Sequence, residues 1–192
     1  MSGSAKVLAA RDVERLLAHV RRGRSGLRNT CMVLLSFRAG LRAAEIAGLD
    51  WSMVLAVDGT VAETLAIAAT IAKNRRRRTV PLHPELKITL RKLHRVAGQP
   101  SRGAVIESQR SRNMTAKGVV NWFTKIYAEA GFDGCSSHSG RRTFITQAAR
   151  LLPKAGGSLR DVQELAGHAS LKTTEAYIQG STEAQRKLVR LL

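Results

Sequence analysis

The chain has few cysteines and no long apolar run, and each shortage excludes something. Cys31 and Cys135 lie far apart, and their spacing suggests no disulfide partner, so we expect two reduced thiols. The apolar runs are too short to span a bilayer, and no basic-then-apolar signal segment opens the chain. These absences predict a cytoplasmic protein that is not embedded in a membrane.

Acidic residues are also scarce, which leaves a strongly basic chain. Its 192 residues include 32 Lys and Arg but only 14 Asp and Glu, a formal net charge of +18. Such an excess indicates a polyanionic partner rather than a particular fold. A membrane surface would require a basic amphipathic helix or a lipid anchor, and the sequence shows neither. The charge favours double-stranded DNA, although a merely solvated basic surface is the ordinary alternative.

Helical periodicity covers most of the chain. Apolar stripes predict helices at 10–23, 27–40, 41–51, 84–97, 115–131, 138–152, 158–167, 170–178 and 182–192. Between Met53 and Leu82, β-branched residues, a DG turn and loose alternation instead predict about three short antiparallel strands. The expected fold is therefore mainly α with a small antiparallel β-sheet (α+β), in one domain over 1–192 that starts with a leader at 1–7.

Three short stretches contain the candidate catalytic side chains. GLRAAEIAGLDW (40–51) has an Arg three residues before an acid, HSGRRTF (138–144) contains His-x-x-Arg, and GHASLKTTEAY (167–177) has Gly-His with a Tyr nine residues after the His. In this order and at these spacings they resemble the tyrosine recombinase (phage integrase) family. IAKNRRRRTVPL adds a Lys eight residues before Pro81, which matches that family's hairpin lysine. The resemblance thus extends over nearly the whole chain.

The resemblance implies a tyrosine recombinase catalytic domain. Such a domain cuts and rejoins DNA at a specific site through a 3′-phosphotyrosyl intermediate, with no metal, nucleotide or other cofactor. The catalytic residues that it implies are Arg42, Lys73, His138, Arg141, His168 and Tyr177. Glu45, one helical turn beyond Arg42, would orient Arg42 or His138 as a supporting group.

These residue types suit the chemistry. A phenol, with a pKa of about 10, loses its proton more readily than serine and forms a reversible phosphoester. The transition state gathers negative charge on the non-bridging oxygens, where the planar fork of arginine binds two atoms and stays charged. His138 lies one helical turn before Arg141 and would handle the proton of the tyrosine. His168 would donate to a non-bridging oxygen, and Lys73 would protonate the departing 5′ oxygen.

Each residue taken singly also has an ordinary explanation. An arginine is usually a solvated surface residue, a histidine is often a structural hydrogen-bonder, and a tyrosine on an amphipathic helix usually packs. Glu45 could be half of a common surface ion pair. The residues expected to contact DNA phosphates are Arg75, Arg76, Arg77, Arg78 and Arg142. A charge run is often just a solvated turn, so the ordered set of motifs carries the functional interpretation.

The sequence departs from the family pattern at Gly140 and Arg142, where Leu and His are usual, and at Ala166, which is often Leu. The departures at Gly140 and Arg142, together with the expected lack of an N-terminal clamp domain, motivate an alternative function, namely a DNA-binding regulator on the same scaffold with weak or no recombination. A relaxing enzyme of the type IB topoisomerase class is a further alternative, against which the small size and the integrase-like spacing argue. Detection of strand cleavage would separate an enzyme from a regulator.

Both ends of the chain carry expectations as well. The stretch that resembles the start of the catalytic domain begins at residue 8, so we expect no N-terminal domain that clamps the far face of DNA. The chain would then be a natural minimal recombinase or a fragment. Residues 182–192 are expected to form a helix that includes Leu188, Val189, Leu191 and Leu192. By resemblance this helix docks on a neighbouring subunit and supports dimers or tetramers on DNA, unless it folds back onto its own core.

Overall fold

A computed structural model describes residues 5–73, 75–108, 113–177, 186, 189 and 190. Its elements in chain order are the helices α1 (Ala10–Arg21), α2 (Gly26–Phe37) and α3 (Ala43–Ala47), the strands β1 (Thr64–Ile67) and β2 (Arg78–Pro81), and the helices α4 (Pro84–Val96), α5 (Ala116–Glu129), α6 (Ser139–Ala155), α7 (Leu159–Ala166) and α8 (Leu171–Glu175). The predicted mainly α fold with a small antiparallel sheet is confirmed.

Helix α2 lies at the centre of the domain. Its residues from Thr30 to Phe37 are all buried, and it packs against α1, α3, α4 and α6. The surrounding helices are amphipathic instead: α1 buries only the stripe of Val13, Leu16, Leu17 and Val20. A helix that is apolar all round must be enclosed, whereas one apolar stripe needs only one covered side. The sequence patterns therefore account for this arrangement.

The sheet is smaller than the sequence predicts. Among the described residues it has two strands, with Leu65 paired antiparallel to Val80, and the third predicted strand is reduced to a single bridge between Leu55 and Val61. The turn between those two residues closes on itself through the bond from the Ala56 N–H to the Thr60 carbonyl, and Val57 is fully exposed. The prediction of about three strands was wrong because residues 56–60 form an exposed turn, so Leu55 and Val61 make only one bridge.

Two hydrophobic clusters divide the interior. The larger one contains most buried side chains of α1 to α5, including Trp51, Phe123 and Tyr127. The smaller one consists of Ile145 from α6 with Val162 and Ala166 from α7, and Tyr177 packs against it. The last helices thus hold Tyr177 through a small packing unit of their own.

The remaining predictions about the chain as a whole concern its cysteines and its end. Both cysteines are unpaired, as predicted, with Cys31 buried and Cys135 half-buried. Within the described ranges no helix is long and apolar enough to cross a membrane. The helix expected at 182–192 lies outside the described residues except at three positions. Its docking role therefore stays a prediction.

Candidate active site

All six residues that the motifs single out line one cleft of about 480 Å³. The start of α3, the β1–β2 connection, the start of α6 and the turns before and after α8 meet there. The six are Arg42, Lys73, His138, Arg141, His168 and Tyr177. The fold thus brings residues up to 135 positions apart in the sequence into one cleft. The motifs alone do not establish this proximity.

Arg42 stands at the N-terminal cap of α3 and is held there by Glu45. The backbone N–H of Arg42 donates to Oε2 of Glu45 at 2.8 Å, and its Nη1 donates to Oε1 at 3.2 Å. The carboxylate of Glu45 is completely buried, while the Arg42 side chain keeps one-fifth of its surface exposed toward the cleft. Glu45 therefore holds Arg42 from its buried side and leaves the guanidinium accessible to an anion.

Arg78 occupies a different place from the other arginines of the run 75–78. Its side chain is only 7% exposed, and its Nη1 and Nη2 donate to the two oxygens of Glu45 at 2.6 and 2.8 Å. Its Nε donates to the carbonyl of Leu165 at 3.2 Å. The sequence predicts a DNA contact for Arg78, but these bonds direct its guanidinium into the protein.

Glu45 is thus a buried carboxylate that accepts four hydrogen bonds from Arg42 and Arg78. Burial alone would raise its pKa, but the hydrogen bonds and positive charges of Arg78 and Arg42 outweigh burial and hold the pKa below its usual value. The carboxylate is therefore ionised at neutral pH. Two arginines share one acid, so the group retains a net positive charge.

Arg141 is the most deeply placed cation of the cleft. Its Nη1 donates to the carbonyl of Gly40 and its Nη2 to the carbonyl of Ala166, each at 2.6 Å. Gly40 has a φ of +64°, and a Cβ there would overlap the ring of Phe144, so only glycine fits. Burial and the nearby charge of Arg42 lower the pKa of Arg141 to about 9, which still leaves it a cation at neutral pH.

His138 and Lys73 are the exposed members of the set. His138 caps the N-terminus of α6, one turn before Arg141, and its Nδ1 lies 3.3 Å from the hydroxyl of Ser137. Lys73 lies in the connection between β1 and β2, as the family resemblance implies. Both side chains are accessible from the cleft. This placement suits groups that exchange protons with a bound substrate.

His168 lies in the turn between α7 and α8 and is buried. Its Nδ1 is 3.0 Å from the hydroxyl of Thr174, a side chain with no exposed surface. Burial and the charges of Arg141, Arg42 and Arg78 lower the pKa of His168 to about 4. The imidazole is therefore neutral at pH 7. When the Thr174 hydroxyl donates to Nδ1, the ring proton resides on Nε2 and is available to an acceptor in the cleft.

Tyr177 follows α8 and lies in the cleft formed by its own chain. Its ring stacks on the imidazole of His168, with centroids 5.7 Å apart and an interplanar angle of 24°. On another side, Cζ of Arg142 lies 5.3 Å from the ring centroid. The phenol is thus oriented by two neighbours, and one of them is the arginine that replaces the histidine usual in the family.

The other two departures also have structural reasons. Gly140 packs so closely on α2 that a Cβ would overlap Oγ of Ser36 and the ring of Phe37. Ala166 is completely buried in the smaller cluster, where its carbonyl accepts from Arg141. Neither departure removes a group from the cleft.

The exposed arginines lie beside the cleft. Arg75, Arg76 and Arg77 are exposed, and a groove of about 440 Å³ lined by Arg76, Arg77 and Arg160 adjoins His168. Sequence reasoning missed Arg160, which belongs to no motif and reaches the groove only through the packing of α7. It also missed Thr174, which lies within the stretch 167–177 but has no assigned role there until its bond with His168 is seen. Among the described residues, no group of three His, Cys, Asp or Glu side chains could hold a metal ion.

The chain is similar in sequence to known proteins. Residues 6–184 match the sequence profile described as the phage integrase family. The chain is 28% identical over 169 residues to tyrosine recombinase XerC of Leptospira interrogans, which covers 86% of this chain and 51% of that protein. It is 30% identical over 168 residues to tyrosine recombinase XerC of Herpetosiphon aurantiacus, with 84% and 51% covered. The chain spans about half the length of these curated relatives.

A search of solved structures finds the same fold. The integrase of transposon Tn1549, in complex with a circular intermediate DNA, superposes with a TM-score of 0.77 and 16% sequence identity. The superposition covers 99% of this chain and 67% of that one. At this identity the likeness establishes the architecture of the domain.

Proposed function

The chain belongs to the phage integrase family, and from this premise we propose that it acts as a site-specific recombinase on double-stranded DNA. One observation carries the proposal: an accessible phenol and five cationic or proton-exchanging side chains line a single cleft. The relatives are named tyrosine recombinases, and the Tn1549 integrase was solved with DNA. The net charge of +18 is consistent with a DNA partner.

In the proposed cleavage step, the phenolic oxygen of Tyr177 attacks the phosphorus of the scissile phosphodiester. The bond from phosphorus to the tyrosine oxygen forms as the bond to the 5′ oxygen breaks, which yields a 3′-phosphotyrosyl link and a free 5′-hydroxyl. His138 accepts the proton of the phenol, and Lys73 donates a proton to the departing 5′ oxygen. A 5′-hydroxyl from a partner strand reverses the step, and the proton transfers run backwards.

Arg42 and Arg141 stabilise the charge that develops on the non-bridging oxygens. Both are anchored by bonds that leave their remaining donors toward the cleft, so little reorganisation is needed when the substrate binds. Neutral His168 supplies a further donor from Nε2. Because Tyr177 lies in the cleft of its own chain, the attack is proposed to occur in cis.

Trapping of the covalent intermediate tests this proposal. The substrate is a nicked duplex in which cleavage releases a short 5′-hydroxyl fragment that diffuses away, so that the adduct accumulates and migrates with the protein on a denaturing gel. Candidate sites are taken from the DNA that flanks the gene. We expect an adduct with the unaltered protein in the presence of EDTA, and none with Tyr177→Phe.

The contrary outcomes identify the alternatives. If the unaltered protein binds a site but forms no more adduct than Tyr177→Phe, the chain is a DNA-binding regulator. If it relaxes plasmids of any sequence, it is a topoisomerase. Light scattering on DNA tests self-association through the predicted helix at 182–192, for which we expect dimers or tetramers rather than a 1:1 complex.

A further inference from the structure

The last arginine of the run 75–78 lines the same groove as Arg76 and Arg77 but is bonded differently from them. Arg75, Arg76 and Arg77 are exposed, whereas Arg78 opens β2 and its side chain is 7% exposed. A phosphate contact needs free guanidinium donors at the surface. The donors of Arg78 are instead directed to Glu45 and to the carbonyl of Leu165.

The ion pair between Arg78 and Glu45 limits how far Glu45 neutralises the positive charge of Arg42. Glu45 is completely buried and bonds both arginines. If Arg42 were its only partner, the carboxylate would neutralise Arg42 and draw it away from a substrate. Because the two oxygens of Glu45 are bound by the fork of Arg78, the positive charge of Arg42 is left over for a phosphate.

A second link runs from Arg78 to the end of α7. The Nε of Arg78 caps the carbonyl of Leu165, and Arg141 caps the next one, that of Ala166. A Cβ on Gly167 would lie 2.9 Å from Cδ of Arg78, and Gly167 has a φ of +62°. The turn that presents His168 therefore rests directly on the side chain of Arg78, and positive charge suits a helix C-terminus.

We propose that Arg78 is a positioning residue: it holds Arg42 in place through Glu45 and His168 in place through the end of α7, and it contacts no DNA phosphate. The catalytic part of this inference rests on the proposed recombinase function. The placement of Arg78 inside the protein does not.

The first variant is Arg78→Lys, which keeps the charge but loses the fork that binds both oxygens of Glu45. Single-turnover adduct formation is measured at saturating DNA, and DNA affinity is measured over a range of salt concentrations. We expect the cleavage rate to fall at least about tenfold, with the slope of log affinity against log salt unchanged. Arg95→Lys, at an exposed position on α4, is the matched control and should change neither quantity.

A double-mutant cycle separates positioning from a general structural role. If Arg78 acts through Arg42, then Arg78→Lys should cost less than about threefold in a protein that already carries Arg42→Lys. Costs that multiply independently would overturn the route through Glu45 and Arg42. The whole proposal would be overturned by a variant Arg78→Met whose cleavage rate is unchanged at saturating DNA while its salt slope falls by about 0.9, the loss expected for one phosphate contact, because methionine, unlike lysine, cannot replace that contact.

Two further measurements keep the test decisive. If Arg78→Lys does not fold, the pair Arg78→Met with Glu45→Gln removes both buried charges, and we expect a folded protein with the same loss of rate. If the unaltered protein forms no adduct, the recombinase proposal fails by itself. The urea midpoints of Arg78→Lys, Glu45→Gln and their combination then decide. Non-additive shifts are expected for a buried pair, and additive shifts would contradict the proposal.

Discussion

At the scale of single residues, the ring of Tyr177 is bounded by His168 and by Arg142. A neutral imidazole can stack on a phenol, and a guanidinium over a ring face is attracted to its quadrupole. The two contacts restrict the torsions of Tyr177 before any substrate binds. As the proposed nucleophile, a phenol held in this way would lose less entropy on reaching the phosphorus.

Replacement of Arg142 by methionine should slow cleavage. Methionine keeps apolar bulk beside the ring but loses the cation–π attraction, which contributes about 0.5–2 kcal/mol. The single-turnover rate at saturating DNA should therefore fall about 2- to 30-fold. Arg150→Met, two turns further along α6, is the control. An unchanged rate combined with weaker DNA binding would instead make Arg142 the phosphate contact that the sequence predicts.

At the scale of elements, the start of α6 determines where two candidate catalytic residues lie. His138 caps this helix and Arg141 lies one turn later, while Gly140 between them packs on α2 without space for a Cβ. Glycine would ordinarily weaken the first turn of a helix. Here it permits the close approach that brings the first turn of α6 against the central helix.

Gly140→Leu, which introduces the residue usual in the family, should therefore destabilise this protein. The leucine would overlap Oγ of Ser36 and the ring of Phe37. Overpacking of this kind costs about 1–3 kcal/mol in the free energy of unfolding, and urea denaturation measures it. In Gly23→Ala, where a Cβ has ordinary van der Waals space, the urea midpoint should change little. Equal midpoints for the two variants would show that α6 can shift away.

At the scale of the whole molecule, exposed arginines lie along one side of the cleft. The groove lined by Arg76, Arg77 and Arg160 continues from His168 along α7 and the β1–β2 connection. An exposed row of cations beside a cationic cleft attracts a polyanion and aligns it across the phenol. The groove is thus the proposed path of the DNA backbone beside the cut.

Arg77→Met should weaken DNA binding in a salt-dependent way. The loss of one phosphate contact lowers the slope of log affinity against log salt by about 0.9. Arg95→Met on α4 removes the same charge from another face, and the slope should then stay nearly constant. If both variants lower the slope equally, the DNA follows no particular path, and only the total charge matters.

Much of the candidate site could be predicted from the sequence because its motifs are local. His138 and Arg141 are one helical turn apart wherever that helix lies, and Arg42 with Glu45 obeys the same spacing. Helical periodicity likewise predicted every α-helix within the described residues, since an apolar stripe depends on neighbours three and four positions away. The weak alternation near Val57 misled because alternation alone does not distinguish a strand from an exposed turn, and residues 56–60 form such a turn.

The sequence by itself determined the chemistry of this protein: a phenol, a set of cations and a positive chain suited to DNA. Only the tertiary structure decided which of four consecutive arginines turns inward. Arg78 does so because Glu45, 33 positions earlier, presents a buried carboxylate that requires charged donors. Contacts between residues so far apart depend on how the helices and strands pack, and local spacing cannot specify them.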